Sequence, residues 1–185
     1  MKEIIEETLF IYLKNEIFEK SGYLKWIFLR KFRFLFFYRI GYVLYRKKNR
    51  VLKNLGLIIH EFITKSYGPD IGIRANIGCG LSLGHVKHAF TIREEAIIGK
   101  NFHIIQGSTI GIGTSKDNGG KVIIGDNVEI GANSIILGNL KIGNNVTIGA
   151  GTFVNRDIPD NSIVTTEKKI IIKIKSNKFR GNMNE

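Results

Sequence analysis

The chain has a single cysteine, Cys79, in 185 residues, so it can form no internal disulfide and no cysteine-rich metal site. That fits a reducing compartment. Acidic residues are also scarce: 16 Asp and Glu stand against 28 Lys and Arg, a formal charge of +12. Such an excess favours an anionic partner, whether membrane surface, nucleic acid or phosphorylated cofactor, without choosing among them. The opening MKEIIEETLF lacks the basic, apolar and small-residue order of a secretion signal, so a cytoplasmic protein is expected. With 43% hydrophobic residues, the chain suits one ordinary domain plus an appendage and is too short for two large domains.

What the sequence has in abundance is a period of six. In IGDNVEIGANSIILGN, residues 124–139, aliphatic side chains return at Ile124, Ile130 and Ile136. On a helix, positions six apart lie about 240° around the axis, which scatters them over several faces. In extended chain, six is a multiple of the two-residue alternation, so every sixth residue returns to one face. Long strands are excluded by the frequent Gly, Asn and Asp, which require a bend once per repeat. The register runs unbroken through Ile124, Ile130, Ile136, Ile142, Ile148 and Val154, with further runs at Ile92, Ile98, Ile104 and Ile110 and at Ile71, Ile77 and Leu83. Ala75, Ala96, Ser108, Val128, Ser134, Leu140, Val146 and Thr152, each four positions after such a start, are expected to fill a narrow interior with them. Repetition of this kind is the signature of a β-solenoid, whose turns are stable only when stacked.

These residues, 70 to about 164, resemble the hexapeptide-repeat acyltransferases. The resemblance implies a mainly β protein, a left-handed parallel β-helix of four to five coils with an N-terminal α-helical segment, assembled as a homotrimer with active sites between subunits. The expected organisation is a helical segment over 1–66, the β-helix over 67–165 and a basic tail over 166–185.

The register slips twice. Nine residues separate Leu83 from Ile92 in place of six, and fourteen separate Ile110 from Ile124 in place of twelve. Each slip needs a bulge or loop leaving the wall, and functional groups concentrate on loops held by rigid scaffolds. The first holds two of the four histidines. The second, GIGTSKDNGGKV, lacks the Gly-Lys-Ser/Thr ending of a phosphate-binding loop and does not lead into a helix, so that reading fails.

GLSLGHVKHAFTI at 80–92 with IIQGSTIGIG at 104–113 is similar to the serine acetyltransferase branch and the related exopolysaccharide O-acetyltransferases. The resemblance places His85 on the catalytic histidine and Gln106 on a glutamine that shapes the pocket. A hydroxyl is a poor nucleophile near pH 7, and an imidazole with a pKa of about 6.5 can take its proton as it attacks an acetyl thioester. His88 is a candidate partner or rival base, and His103, directed outward before Ile104, a candidate lining residue met by a neighbouring subunit. His60 is expected to be structural, and Cys79 lacks any mark of a lowered pKa. No metal is expected, because a three-histidine zinc site needs other spacings.

By the same resemblance the co-substrate is acetyl-CoA, its pantetheine lying along Gly131, Ala132, Gly149 and Ala150. Corner glycines and alanines are equally what turning requires. The family's Gly-Val-Pro-Ala turn after the last coil is absent, and Lys168 and Lys169 are candidates to meet phosphate instead. Gly84 stands where serine acetyltransferases often carry Asp, and the second loop has no histidine. Both departures favour a sugar hydroxyl of a surface polysaccharide or lipid-linked glycan over L-serine as acceptor. A reading of another class is a non-catalytic, membrane-associated solenoid scaffold.

Residues 21–60 hold ten Lys or Arg, ten aromatics and no acidic residue. Arg33 and Arg39 interrupt the apolar run, far short of the ~20 residues that span a bilayer. A helix bearing Trp26, Phe28, Phe32, Phe36 and Phe37 among such charge suits an anionic membrane surface. Packing of the rings inside the oligomer is the equal alternative, and nucleic acid binding is set aside.

Overall fold

The computed structural model describes residues 9–18, 29–85, 89–113 and 120–167. Helix α1 (Leu9–Leu13) runs into a π-helical turn (Lys14–Phe18), followed by α2 (Arg30–Tyr45) and α3 (Arg50–Tyr67). Asn49 starts α3: its side-chain oxygen accepts from the amides of Val51 at 2.8 Å and Leu52 at 3.3 Å, satisfying two donors the helix leaves free. Gly68, at φ 102°, ends it. Helices α2 and α3 cross closely at two glycines. A Cβ on Gly56 would sit 2.7 Å from the Gly41 carbonyl oxygen.

Beyond α3 the described residues form fourteen short strands in three parallel sheets. The first sheet holds β1 (Asp70–Ile71), β4 (Thr91–Ile92), β7 (Thr109–Gly111), β10 (Ile135–Leu137) and β13 (Phe153–Val154). The second holds β2 (Asn76–Ile77), β5 (Ala96–Ile98), β8 (Val122–Ile124) and β11 (Leu140–Ile142). The third holds β3 (Ser82–Leu83), β6 (His103–Ile104), β9 (Glu129–Ile130), β12 (Thr147–Ile148) and β14 (Ile163–Val164). The chain visits the three sheets in rotation, so every third strand as far as β13 lies beside its predecessor; in the last circuit a single bridge, Ile142 to Ile158, stands for the second sheet and β14 lies beside β12.

The period of six is one side of this circuit. Ile124, Ile130 and Ile136 belong to three different sheets, and each pairs with the aliphatic residue one circuit later: Ile142, Ile148 and Val154. Inside, Ile71, Ile92, Ile110, Ile136 and Val154 form one continuous stack, all at most 2% exposed. The eight small or aliphatic residues expected between the stacks are buried as well.

Corners are held by side-chain ladders. Asn101, Asn127, Asn145 and Asn161 all have φ between 54° and 58°, and each of the first three donates its side-chain amide to the next one's oxygen at 3.0 to 3.1 Å. Asparagine tolerates the left-handed conformation better than other side chains. Beside this ladder, Asp126, Asn144 and Asp160 accept from the amides of Lys100, Asp126 and Asn144 at 2.7 to 2.8 Å.

The helices and the first circuit share one core. Ile17, Phe32, Phe34, Leu35, Tyr38 and Ile63 join Ile71 and Ile77 in a single buried cluster. Fully buried Arg39 donates to both carboxylate oxygens of Glu16 and to the carbonyls of Ile77 and Gly78 at 2.9 and 2.7 Å. Its guanidinium also lies 4.0 Å from the Tyr12 ring centroid. Burial opposes the charge, but the Glu16 carboxylate outweighs it and holds Arg39 protonated.

Two expectations are corrected. The α2 aromatics do not form a membrane-facing stripe: Phe32 is 4% exposed, Phe36 packs half-buried against the core, and only Phe37 is open, while Trp26 and Phe28 lie outside the described residues. Rings distributed around the helix find partners on several sides. The second register slip is larger than fourteen residues in place of twelve. Ile110 pairs with Ile136 and Ile124 with Ile142, so fourteen steps face six, an excess of eight.

Candidate active site

The first slip lies where the third sheet turns toward the first. Leu83 pairs with Ile104 and Thr91 with Thr109, so eight steps of chain face five, an excess of three. The excursion begins at His85. Gly84 is still in register, its amide donating to the Ile104 carbonyl at 2.9 Å, and His85 then turns out with φ 52°, exposed. Few non-glycine residues adopt this left-handed conformation, and histidine, like the corner asparagines, is among those that tolerate it. The wall resumes at Ala89, whose carbonyl accepts from the Gly107 amide at 2.8 Å.

Successive circuits build a column under this corner. The Gln106 carbonyl accepts from the Asn133 amide at 2.9 Å, and the Ala132 carbonyl from the Gly151 amide at 2.7 Å. Gly84, Ile105, Gly131 and Gly149 stack in the adjoining column through amides bonded to the circuit beyond, at 2.8 to 3.1 Å. Expected site residues His85, Gln106, Gly131, Ala132, Gly149 and Ala150 therefore share one edge of the molecule. With strands about 4.8 Å apart, Ala150 lies three circuits and roughly 14 Å from His85 along that edge.

Gln106 is the unusual member. Its Oε1 is buried without a hydrogen-bond partner among the described residues, an unsatisfied acceptor beside the histidine turn. Gly131 and Gly149 are explained by stacking alone: a Cβ on Gly131 would approach the Ala150 amide nitrogen to 2.5 Å, and one on Gly149 the Thr165 methyl to 2.9 Å. Their small size also keeps the edge low. Ala132 is half-buried and Ala150 exposed.

The other candidates separate from this corner. His103 lies half-buried on the outward face of the third sheet, paired between Ser82 and Glu129. His60 bonds the Ile71 carbonyl at 2.6 Å and joins α3 to the first strand. His88, Lys168 and Lys169 lie outside the described residues. A cleft of about 350 Å³ opens at the last circuit, lined by Phe153, Asn155, Arg156 and the inward-facing Val154, Ile158 and Val164; it is the open end of the interior. The open Gln106 oxygen and the buried Glu16–Arg39 pair had no signal in the sequence, since both depend on long-range placement.

Residues 121–156 match the family model described as bacterial transferase hexapeptide (six repeats). The chloroplastic serine acetyltransferase 1 of Arabidopsis thaliana is 36% identical over 82 residues, which are 44% of this chain and 24% of that protein. The serine acetyltransferase of Salmonella typhimurium is 33% identical over 93 residues, 50% of this chain and 32% of that one. The chain thus aligns with no more than a third of these curated relatives. The crystal structure of the Neisseria gonorrhoeae serine acetyltransferase in complex with serine superposes with a TM-score of 0.68 and 32% identity, covering 88% of this chain and 67% of that one.

These relatives overturn the expected sugar or glycan acceptor and the assignment to polysaccharide synthesis, because all of them are serine acetyltransferases. Gly84 has a packing explanation that says nothing about the acceptor. A Cβ there would come within 3.3 Å of the Ile105 side chain, tighter than ordinary contact. By repeat, by strand order and by these likenesses, the chain belongs to the hexapeptide-repeat acyltransferases and is serine acetyltransferase-like.

Proposed function

We propose that the protein transfers the acetyl group of acetyl-CoA to the hydroxyl of L-serine, with His85 as general base. The observation that carries the reading is the histidine-led excursion at a corner whose next circuit presents the open Gln106 oxygen. In this reading the winding is a left-handed parallel β-helix, consistent with the rotation of the chain through its three sheets and with the Neisseria structure.

His85 removes the serine hydroxyl proton as that oxygen attacks the thioester carbonyl, forming a C–O bond and a tetrahedral oxyanion. The intermediate collapses by breaking the C–S bond, and the imidazolium returns its proton to the departing sulfur. A thiol pKa near ~8.5 makes that sulfur a good leaving group. Base assistance of this type contributes roughly 10² to 10⁴ in rate. Gln106 Oε1 offers an acceptor matched to the ammonium of serine. The acetyl-pantetheine arm lies along the low edge formed by Gly131, Ala132, Gly149 and Ala150, with its acetyl end at His85. We place the working site between subunits of a homotrimer, where a neighbour can meet His103.

The test is serine-dependent release of free thiol from acetyl-CoA by the purified protein, with O-acetylserine identified by mass. Formation of both products in equal amounts supports the reading. Thiol release that ignores serine, or none at all, removes it.

A further inference from the structure

Helix α3 carries two apolar faces, and among the described residues only one is packed. Toward α2 and the first circuit it presents Gly56 and Ile63, both buried. On another side Val51, Leu55, Ile58 and Phe62 follow one another at steps of four, three and four, which keeps them in one narrow stripe. They are 75%, 44%, 65% and 66% exposed. At 1.5 Å per residue the stripe is roughly 16 Å long. A continuous patch of this kind marks an interaction site more often than scattered single residues do.

The charge around its N-terminal end narrows the partner. Arg46, Lys47, Lys48 and Arg50 are all exposed in the turn that enters α3, and no acidic residue occupies the first turn. Arg50, in the first turn, opposes the positive end of the α3 dipole, while Arg46, the C-cap of α2, and the two lysines after it stand at the negative end of that helix; together they leave a compact, exposed cationic cluster that an external anion complements. The only acid on the helix, Glu61, is engaged by Lys65 at 2.9 Å. A second copy docked through the same stripe would bring its own four cations to this cluster and offers it no complementary charge. No described helix is long and apolar enough to cross a membrane, so the stripe fits a surface and not a span.

We propose that α3 docks on an anionic phospholipid bilayer, lying in the interface with Val51, Leu55, Ile58 and Phe62 among the acyl chains and the cations of residues 46–50 on lipid phosphates. This places the membrane contact on the helix after the one whose aromatics the sequence singles out, and it goes beyond the acetyl transfer proposed above.

Co-sedimentation of the full chain with vesicles tests it, using phosphatidylcholine alone and phosphatidylcholine mixed with phosphatidylglycerol. The wild type is expected to sediment only with the anionic vesicles and to be released by salt. Ile58→Asp with Phe62→Asp should lower the partition coefficient at least about tenfold, because two large apolar groups no longer enter the bilayer. Far-UV circular dichroism and size by light scattering should stay unchanged. A second variant, Lys47→Glu with Lys48→Glu, leaves the stripe intact and should lose binding through charge alone. Failure of the wild type to bind anionic vesicles overturns the proposal, as does undiminished binding by the stripe variant. So does dissociation of an oligomer by the stripe variant, which would assign the face to a second copy.

Discussion

Glu16 and Arg39 meet as a fully buried ion pair that fastens three parts of the chain at once. Glu16 comes from the π-helical turn, Arg39 from α2, and the guanidinium continues to the carbonyls of Ile77 and Gly78 on the first circuit. The Leu81 amide returns a bond to Glu16 Oε1 at 3.1 Å. Arg39→Met leaves a buried carboxylate without its cation and should cost about 3–5 kcal/mol in urea unfolding. Combining it with Glu16→Leu should recover most of that loss. Equal destabilisation by the single and double variants would show that packing of the arginine, not its charge, matters.

Tyr38 poses the opposite case. Its hydroxyl is buried with no hydrogen-bond partner among the described residues, and burial pushes the phenol well above its ordinary pKa, with Arg39 pulling the other way. Tyr38→Phe should therefore be neutral or stabilising, by up to about 1 kcal/mol. Because the folded pKa is raised, the contribution of this group is complete below the unfolded value of ~10 and is lost as pH rises past it. Alkaline unfolding curves of the phenylalanine variant should lack that share of the decline.

Asn127 tests the corner ladder. Its φ is 56°, and its side chain bonds Asn101 at 3.0 Å and Asn145 at 3.1 Å. Asn127→Ala loses both bonds and strains the turn, for about 2–3 kcal/mol, whereas Asn127→Gly keeps the backbone free and should cost about 1 kcal/mol less. Thermal unfolding of the pair separates the two contributions. An alanine variant as stable as the glycine one contradicts the conformational part.

How much of this was legible depended on range. The inward stacks were readable because Ile124, Ile130 and Ile136 repeat at a spacing only a turning strand satisfies, and the histidine turn was readable as nine residues in a six-residue rhythm. The size of the second loop is hidden because an excess of eight steps is one six-residue repeat plus two, and so leaves the same phase as a two-residue bulge. Amphipathic reading also failed in the helices: α2 hides aromatics on several sides, while the exposed stripe lies on α3, where Val51, Leu55, Ile58 and Phe62 look like core residues. Pairs such as Glu16 with Arg39, 23 positions apart, leave no local trace.

Gln106 offers a test of acceptor binding. If its open oxygen receives the serine ammonium, Gln106→Leu should raise the KM for serine about tenfold or more, the worth of one hydrogen bond to a charged group, with a smaller effect on kcat. The KM for acetyl-CoA should be unaffected. A change confined to acetyl-CoA would move Gln106 to the donor side of the site.

The most direct test of the central claim is the rate of serine-dependent thiol release by His85→Ala, compared with wild type at equal acetyl-CoA occupancy. Loss of general-base assistance predicts a fall of roughly 10² to 10⁴ in kcat with coenzyme A affinity unchanged. A variant that keeps the wild-type rate would show that the proton of the acceptor leaves by another route and that the His85 corner is not the catalytic centre.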